Sequence, residues 1–500
     1  MSSAAPSASQ TPDQAHRRLA TLRLWLCRAV PVTAVLCFLG WCYVCVRATH
    51  AWDDADPEIL NQAWRLAQGE NIYRTIDQPP YVHTAYPPLY FLIVAALLQF
   101  TGLNYLPARL VSFLSALAIG WALAKLSRVW TGKISAGLWA ALFFFLIPAV
   151  LYNTVRTHAQ MLAVALSIWS FVFFLRGQFL PTTIISPLLA ALAIYTKQTQ
   201  VALPLAMGIY LLLRHRRWLL PYAITILLAG LLPFFWLQRI TNGYFWRHIV
   251  ELNALSYNPL DIAPILIHHA GPIFLFIGLA VVILRRRIRE RRLEPIDFYF
   301  ASAFVVTLLT LGRLGAHTQY VVECCAVTLL FLLRTSGLCA MRGRDALLCG
   351  QICLLLLYTP LYVILEEGRF GMASHRAAEK LYPLLKTERG PILSQQGSFA
   401  LFGSGALYIQ LAHFAALART GLWDESRLQR EIESRKFVWV VTEFPLEEPL
   451  QRADDIERFN PPIVEALRKN YRRQEVILPY YLYRPLPNAP LRYLCVSAVK

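Results

Sequence analysis

Four carboxylates, Asp53, Asp54, Asp56 and Glu58, fall within six residues and follow directly on an apolar run. Charge beside a hydrophobic span is costly unless it lies in water or does chemistry. A carboxylate in this position can take a proton from a hydroxyl nucleophile, and Asp53 and Asp54 are the expected catalytic pair. Further along, polar side chains gather at the ends of other apolar runs: His83 and Tyr86, Arg109, Arg156 with His158, Lys197 with Gln198, and His317, Gln319, Tyr320 and Glu323. Cations such as Arg156 and Lys197 suit a phosphate leaving group. Each taken alone is equally well explained as an interfacial anchor, since long basic and aromatic side chains snorkel at that depth. A divalent cation, if one takes part, is expected at Asp54, because spacing shows no other ligand set.

The elements that must position these residues are membrane helices. Of 500 residues, 56% are hydrophobic and only 16% charged, against about 25% charged in soluble domains, and the mean hydropathy is +0.44. The net charge of +18 sits in short clusters between apolar runs, the pattern of cytoplasmic loops rather than of a nucleic-acid interface. Most of the ten cysteines lie inside apolar runs, where cysteine acts as a small hydrophobe.

The first apolar run, about 29–48, is too long for a signal-peptide core and reads as a retained anchor. Arg17, Arg18, Arg23 and Arg28 precede it, placing residues 1–28, a polar and disordered segment, in the cytoplasm and the carboxylates outside. Residues 49–103 form the first outer loop. In it Asp56 is the expected helix cap, Pro57 the first helical residue and Gly69 the stop, with Ile59, Ala63 and Leu66 as an apolar stripe. The run 89–100 is short for a span and suits an interfacial helix. Ten further spans follow, at about 104–126, 134–152, 158–176, 182–195, 200–213, 219–237, 262–284, 297–312, 320–334 and 345–365. With 89–100 left out of the count, twenty basic residues fall on the cytoplasmic side and nine on the outer side before the tail. Counting it as a span would invert every later loop, so the positive-inside rule selects about eleven spans with two juxtamembrane helices. The tail, 366–500, alternates apolar strand-like runs (391–393, 437–441, 476–478, 480–483) with helical patterns at 404–418, 424–435 and 461–470. That predicts a small α/β domain outside the cytoplasm.

The first loop, with Asp53-Asp54, Gln68-Gly69-Glu70-Asn71-Ile72-Tyr73, Tyr86-Pro87-Pro88-Leu89 and Pro107-Ala108-Arg109, resembles that of the GT-C superfamily of membrane glycosyltransferases, in particular bacterial relatives of protein O-mannosyltransferases and of the lipid A aminoarabinose transferase. Thr196-Lys197-Gln198 and Gly315-Ala316-His317-Thr318-Gln319-Tyr320 resemble later outer-face motifs of that group, with Gln319 standing where an Asn is expected. The resemblance implies an inner-membrane, multi-pass enzyme. It would transfer a sugar from a polyprenyl-phosphate donor to an extracytoplasmic acceptor, with inversion. An acidic residue, Asp53 or its neighbour Asp54, would be the base, and Arg156 and Lys197 would contact donor phosphate. The alternatives are a transporter or flippase of a lipid-linked saccharide and a structural membrane protein. A transporter should show internal repeats and broken or charged spans at mid-membrane.

Overall fold

The computed structural model describes residues 32–313, 315–335, 344–367, 372–387, 389–450 and 452–487. The expected N-terminal segment 1–28 lies outside the described residues. Apolar runs in the membrane part form helices because only internal hydrogen bonding satisfies the backbone in lipid. Every drafted span coincides with a helix or a bent helix pair, beginning with Val32–Arg47. Among the described residues, four helices, including Leu106–Thr131 and Arg216–Ile240, are by themselves long and apolar enough to cross a membrane. A fifth arises if Ile134–Leu146 and Pro148–Thr154, which meet at 80°, count as one span. Shorter apolar helices, including Gln160–Phe174, Pro181–Thr196, Ala202–Arg214 and Pro295–Leu311, pack around them. Leu106–Thr131 and Ile134–Leu146 approach so closely that a Cβ on Gly137 would lie 2.5 Å from the Cα of Ala124.

The first loop holds two helices, Ala55–Ala67 and Leu89–Thr101. Ile59, Leu60 and Ala63 of the first pack on Tyr90, Phe91, Val94 and Leu98 of the second. Leu92, Leu97 and Phe100 remain exposed on the outer side of the second helix, as suits a helix resting in the membrane interface. One expectation is corrected here. Asp56 is not the cap; Asp54 holds that position and makes no side-chain cap bond. The free amide of Asp56 is taken by the Asp53 carboxylate at 2.7 Å, which leaves the Asp56 side chain, fully buried, to serve elsewhere.

The C-terminal residues build a four-stranded sheet in the order β1-β2-β4-β3, with β1 Ile392–Ser394, β2 Trp439–Thr442, β3 Tyr471–Ile477 and β4 Tyr480–Pro485. β1 and β2 run parallel, and the β3–β4 hairpin adds antiparallel to β2. The helical pattern expected over 404–418 is two helices, Gly397–Ser404 and Leu411–Arg419; they part at Gly405, whose φ of +83° ends the first. The sheet and its helices share a core with the first loop: Ile76 and Tyr81 pack among Phe414, Leu417 and Val440. Backbone bonds from Tyr81 to Tyr408 (2.8 Å) and from Gln410 to Tyr81 (3.1 Å) tie the two.

Candidate active site

The first-loop carboxylates are held by different parts of the fold. One Asp53 oxygen accepts from the Asp56 amide; the other accepts from His158 Nε2 at 2.8 Å and from the Tyr152 hydroxyl at 3.1 Å. His158 and Tyr152 flank the bend where the helices Pro148–Thr154 and Gln160–Phe174 meet. Arg156, wholly buried, stacks on Tyr152 (4.0 Å) and Trp52 (5.2 Å) beside them. Burial alone would raise the Asp53 carboxyl. The charge and hydrogen bond of His158, then Arg156 and the Asp56 amide, outweigh it and hold the group well below the usual carboxylate range. Asp53 is therefore an ionised, oriented carboxylate. The other ring nitrogen of His158, Nδ1, is buried without a partner.

Asp56 and Arg109 form the bracket behind this pair. One Asp56 oxygen accepts from the Thr157 amide (2.7 Å); the other accepts from the Trp52 amide (3.1 Å) and Arg109 Nη2 (3.3 Å). The Arg109 guanidinium also donates to the carbonyls of Cys45, Ala48 and His50. Arg109 thus fastens the end of the first helix to the start of Leu106–Thr131. Asp54 points the other way and pairs with Arg458, which lies between β2 and β3 in sequence.

A cavity of 170 Å³ lies beside the helix Ala55–Ala67. Into it the fold brings six of the expected residues: His83, Tyr86, Lys197, Gln198, Gln319 and Tyr320. Lys197, in the loop after the helix Pro181–Thr196, is buried, donates to Gln160 Oε1 at 2.6 Å and lies 4.2 Å from the Tyr320 ring centre. Burial and the neighbouring Arg313 push its ammonium down to about 7. Arg313 lines the same cavity; its Nη2 donates to Asn253 (2.8 Å), and its Nε is buried without a partner. His83 donates to the His248 carbonyl at 2.8 Å and stacks on His413 of the helix Leu411–Arg419 at 4.1 Å. His317 and Glu323 lie outside this cavity: the His317 ring lies 4.7 Å from that of His269, tilted by 51°, and Glu323 accepts from Tyr299 at 2.8 Å.

Glu58 joins the two groups. It lines the cavity, and burial together with the Asp54 and Asp53 charges pushes its carboxyl up to about 8. Glu58, Gln62 and Arg65 stand four and three residues apart, on one helix face. That spacing could have marked Glu58 and Gln62 as site residues from sequence. Gln410 and His413, supplied by the far C-terminal half, carry no such local signal.

The fit to a cation can be tested on the donors. Asp53, Asp56 and His158 are the group whose ligand atoms lie within 4.8 Å of one another among the described residues. All four carboxylate oxygens already accept from N–H or O–H donors, one of them from a guanidinium. Asp54, the expected metal position, lies outside that group and faces Arg458. These residues do not fit a resident metal ion.

The backbone belongs with the GT-C type of membrane glycosyltransferase fold, as the first-loop motifs imply. Within that type, residues 84–312 match the family model for glycosyltransferase family 87. The chain superposes on ArnT from Cupriavidus metallidurans, solved bound to undecaprenyl phosphate, with a TM-score of 0.65 at 13% identity over 91% of this chain and 98% of that one. The apo state of the same protein gives a TM-score of 0.62 at 14% identity, covering 90% of this chain and 97% of the other. No curated protein matches the sequence.

Proposed function

We propose that this protein transfers a sugar from a polyprenyl-phosphate donor to an acceptor outside the cytoplasm, with inversion at the sugar, as a chain of about eleven spans with the C-terminal domain on the outer side. The observation that carries the reading is a cavity that holds two cations, Lys197 and Arg313, and is lined by Glu58, whose carboxyl the charge of the oriented carboxylate Asp53 reaches. Transfer from a phosphate-linked donor needs positive charge where the leaving phosphate gains it and a base where the acceptor hydroxyl loses its proton. Lys197 and Arg313 supply the first. A donor phosphate seated between them raises the Lys197 ammonium from about 7, so the cation is drawn to full charge by its own ligand.

Asp53 supplies the base. Its carboxyl is a weak acceptor on its own, but it is bonded to His158, whose Nδ1 has no partner. Asp53 takes the acceptor's proton onto its carboxylate as the acceptor oxygen bonds to the sugar carbon and the bond to the donor phosphate breaks, while His158 and Tyr152 keep the carboxylate aimed. Glu58 lines the cavity and, with its carboxyl raised to about 8, places no second negative charge there near neutral pH. Asp54, engaged by Arg458, holds the C-terminal domain against the loop. The test is transfer by the purified protein from a panel of polyprenyl-phosphate sugars, with Asp53→Asn as the control. Transport of the lipid-linked sugar without transfer, undiminished in Asp53→Asn, would replace this reading by the flippase alternative.

A further inference from the structure

A second cavity, of 470 Å³, lies at the opposite membrane end of the same helices. Arg109 begins the helix Leu106–Thr131 at the carboxylate end, and Lys125, sixteen residues on, lines the second cavity; that is about 24 Å along the axis. Gln160 begins the helix Gln160–Phe174 beside Lys197, and Arg176 just beyond its other end lines the second cavity. The helix Val322–Thr335 likewise runs from the active-site side to Arg334.

The lining carries three cations, Lys125, Arg176 and Arg334, against one carboxylate, Glu294. Glu294 is engaged by Arg334, at 2.6 and 3.0 Å, and caps the helix Pro295–Leu311. Lys125 and Arg176 have no carboxylate partner among the described residues; each lies only against an aromatic ring, Trp169 at 5.1 Å and Phe173 at 4.7 Å. The wall between the cations is apolar, made by Leu126, Val129 and Leu175, and Val129 is 71% exposed towards the surroundings. Trp130 stands at the rim, as tryptophan does at headgroup depth. Two cations without a carboxylate partner beside an apolar wall exposed at Val129 match one ligand chemistry, a phosphate carried on acyl chains.

We propose that this cavity binds the headgroup phosphate of an anionic phospholipid, between Lys125 and Arg176, with its chains along Leu126, Val129 and Leu175. The site is separate from the transfer site and would anchor the helices that carry it. The test uses the full chain purified in a non-ionic detergent. Phosphatidylglycerol and phosphatidylcholine are titrated with native mass spectrometry as the readout, and inorganic phosphate with a thermal-shift readout. Wild type retains phosphatidylglycerol in preference to phosphatidylcholine. The double variant Lys125→Gln/Arg176→Gln weakens phosphatidylglycerol roughly 30-fold, the product of two lost charge contacts, and leaves phosphatidylcholine unchanged. If the double variant fails to fold, Lys125→Gln and Arg176→Gln singly carry the same test at roughly fivefold each. Equal binding of the two lipids, or unaltered phosphatidylglycerol binding in folded variants, overturns the site. Inorganic phosphate shifting the melting temperature as much as phosphatidylglycerol overturns the lipid assignment.

Discussion

Replacing Asp53 by Asn changes one charge and almost no volume, so its effect can be worked from the contacts. The Asn Oδ1 can still accept from the Asp56 amide, now at 2.7 Å from the Asp53 oxygen. The amide nitrogen then faces His158 Nε2 and the Tyr152 hydroxyl, which sit 2.8 and 3.1 Å from the lost oxygen. Tyrosine can turn its hydroxyl, and His158 can move its proton to Nδ1, which has no competing partner. The fold therefore keeps its bonds and loses one charge-assisted contact, a cost of about 1–3 kcal/mol in stability. Chemistry loses far more: a positioned general base contributes about 10²–10⁴ in rate, or roughly 3–5 kcal/mol of barrier. Transfer measured with the purified protein and a labelled polyprenyl-phosphate sugar should show kcat down by that factor with donor KM within about threefold. Asp54→Asn, which breaks the pairing with Arg458, should cost less than about tenfold. An Asp53→Asn enzyme within threefold of wild-type kcat, or an equal collapse in well-folded Asp54→Asn, refutes the assignment of the base.

Lys197→Ala should raise donor KM by about 10- to 100-fold, the worth of one buried phosphate contact, while acceptor KM stays put; an unchanged donor KM takes Lys197 out of the site. Glu58 gives a pH test. Its folded carboxyl is raised to about 8 from an ordinary 4.5, so the folded state holds a proton that the unfolded chain has lost, and this contribution is present below about pH 4.5 and disappears as pH rises through 8. Melting curves should therefore show wild type losing stability between pH 5 and 8 relative to Glu58→Gln; parallel curves contradict the raised carboxyl. A reporter fused after Lys500 should read as outside the cytoplasm, and a cytoplasmic signal overturns the parity from which the outer face was assigned.

The helices were legible because their cause is local. A run of apolar side chains is helical in lipid wherever it ends up, so segments such as 104–126 and 219–237 could be drawn almost where Leu106–Thr131 and Arg216–Ile240 stand. Six of the polar residues singled out at span ends line one cavity, while Arg109, Arg156 and His158 do not. What each carboxylate does was not legible. Asp53 is set by His158, 105 residues away, Asp56 by Arg109 and Thr157, and Asp54 by Arg458, 404 residues away. Read locally, Asp56 is a helix cap, because capping is the bond a short-range pattern can describe. A buried carboxylate is instead satisfied by whatever donors the fold brings to it. The sequence by itself determined a membrane protein of this type with acidic residues at the head of its first loop. Only the tertiary structure decided that one of them is bonded to a histidine, one is locked into the scaffold and one pairs with Arg458, since those contacts join chain segments that no local pattern brings together.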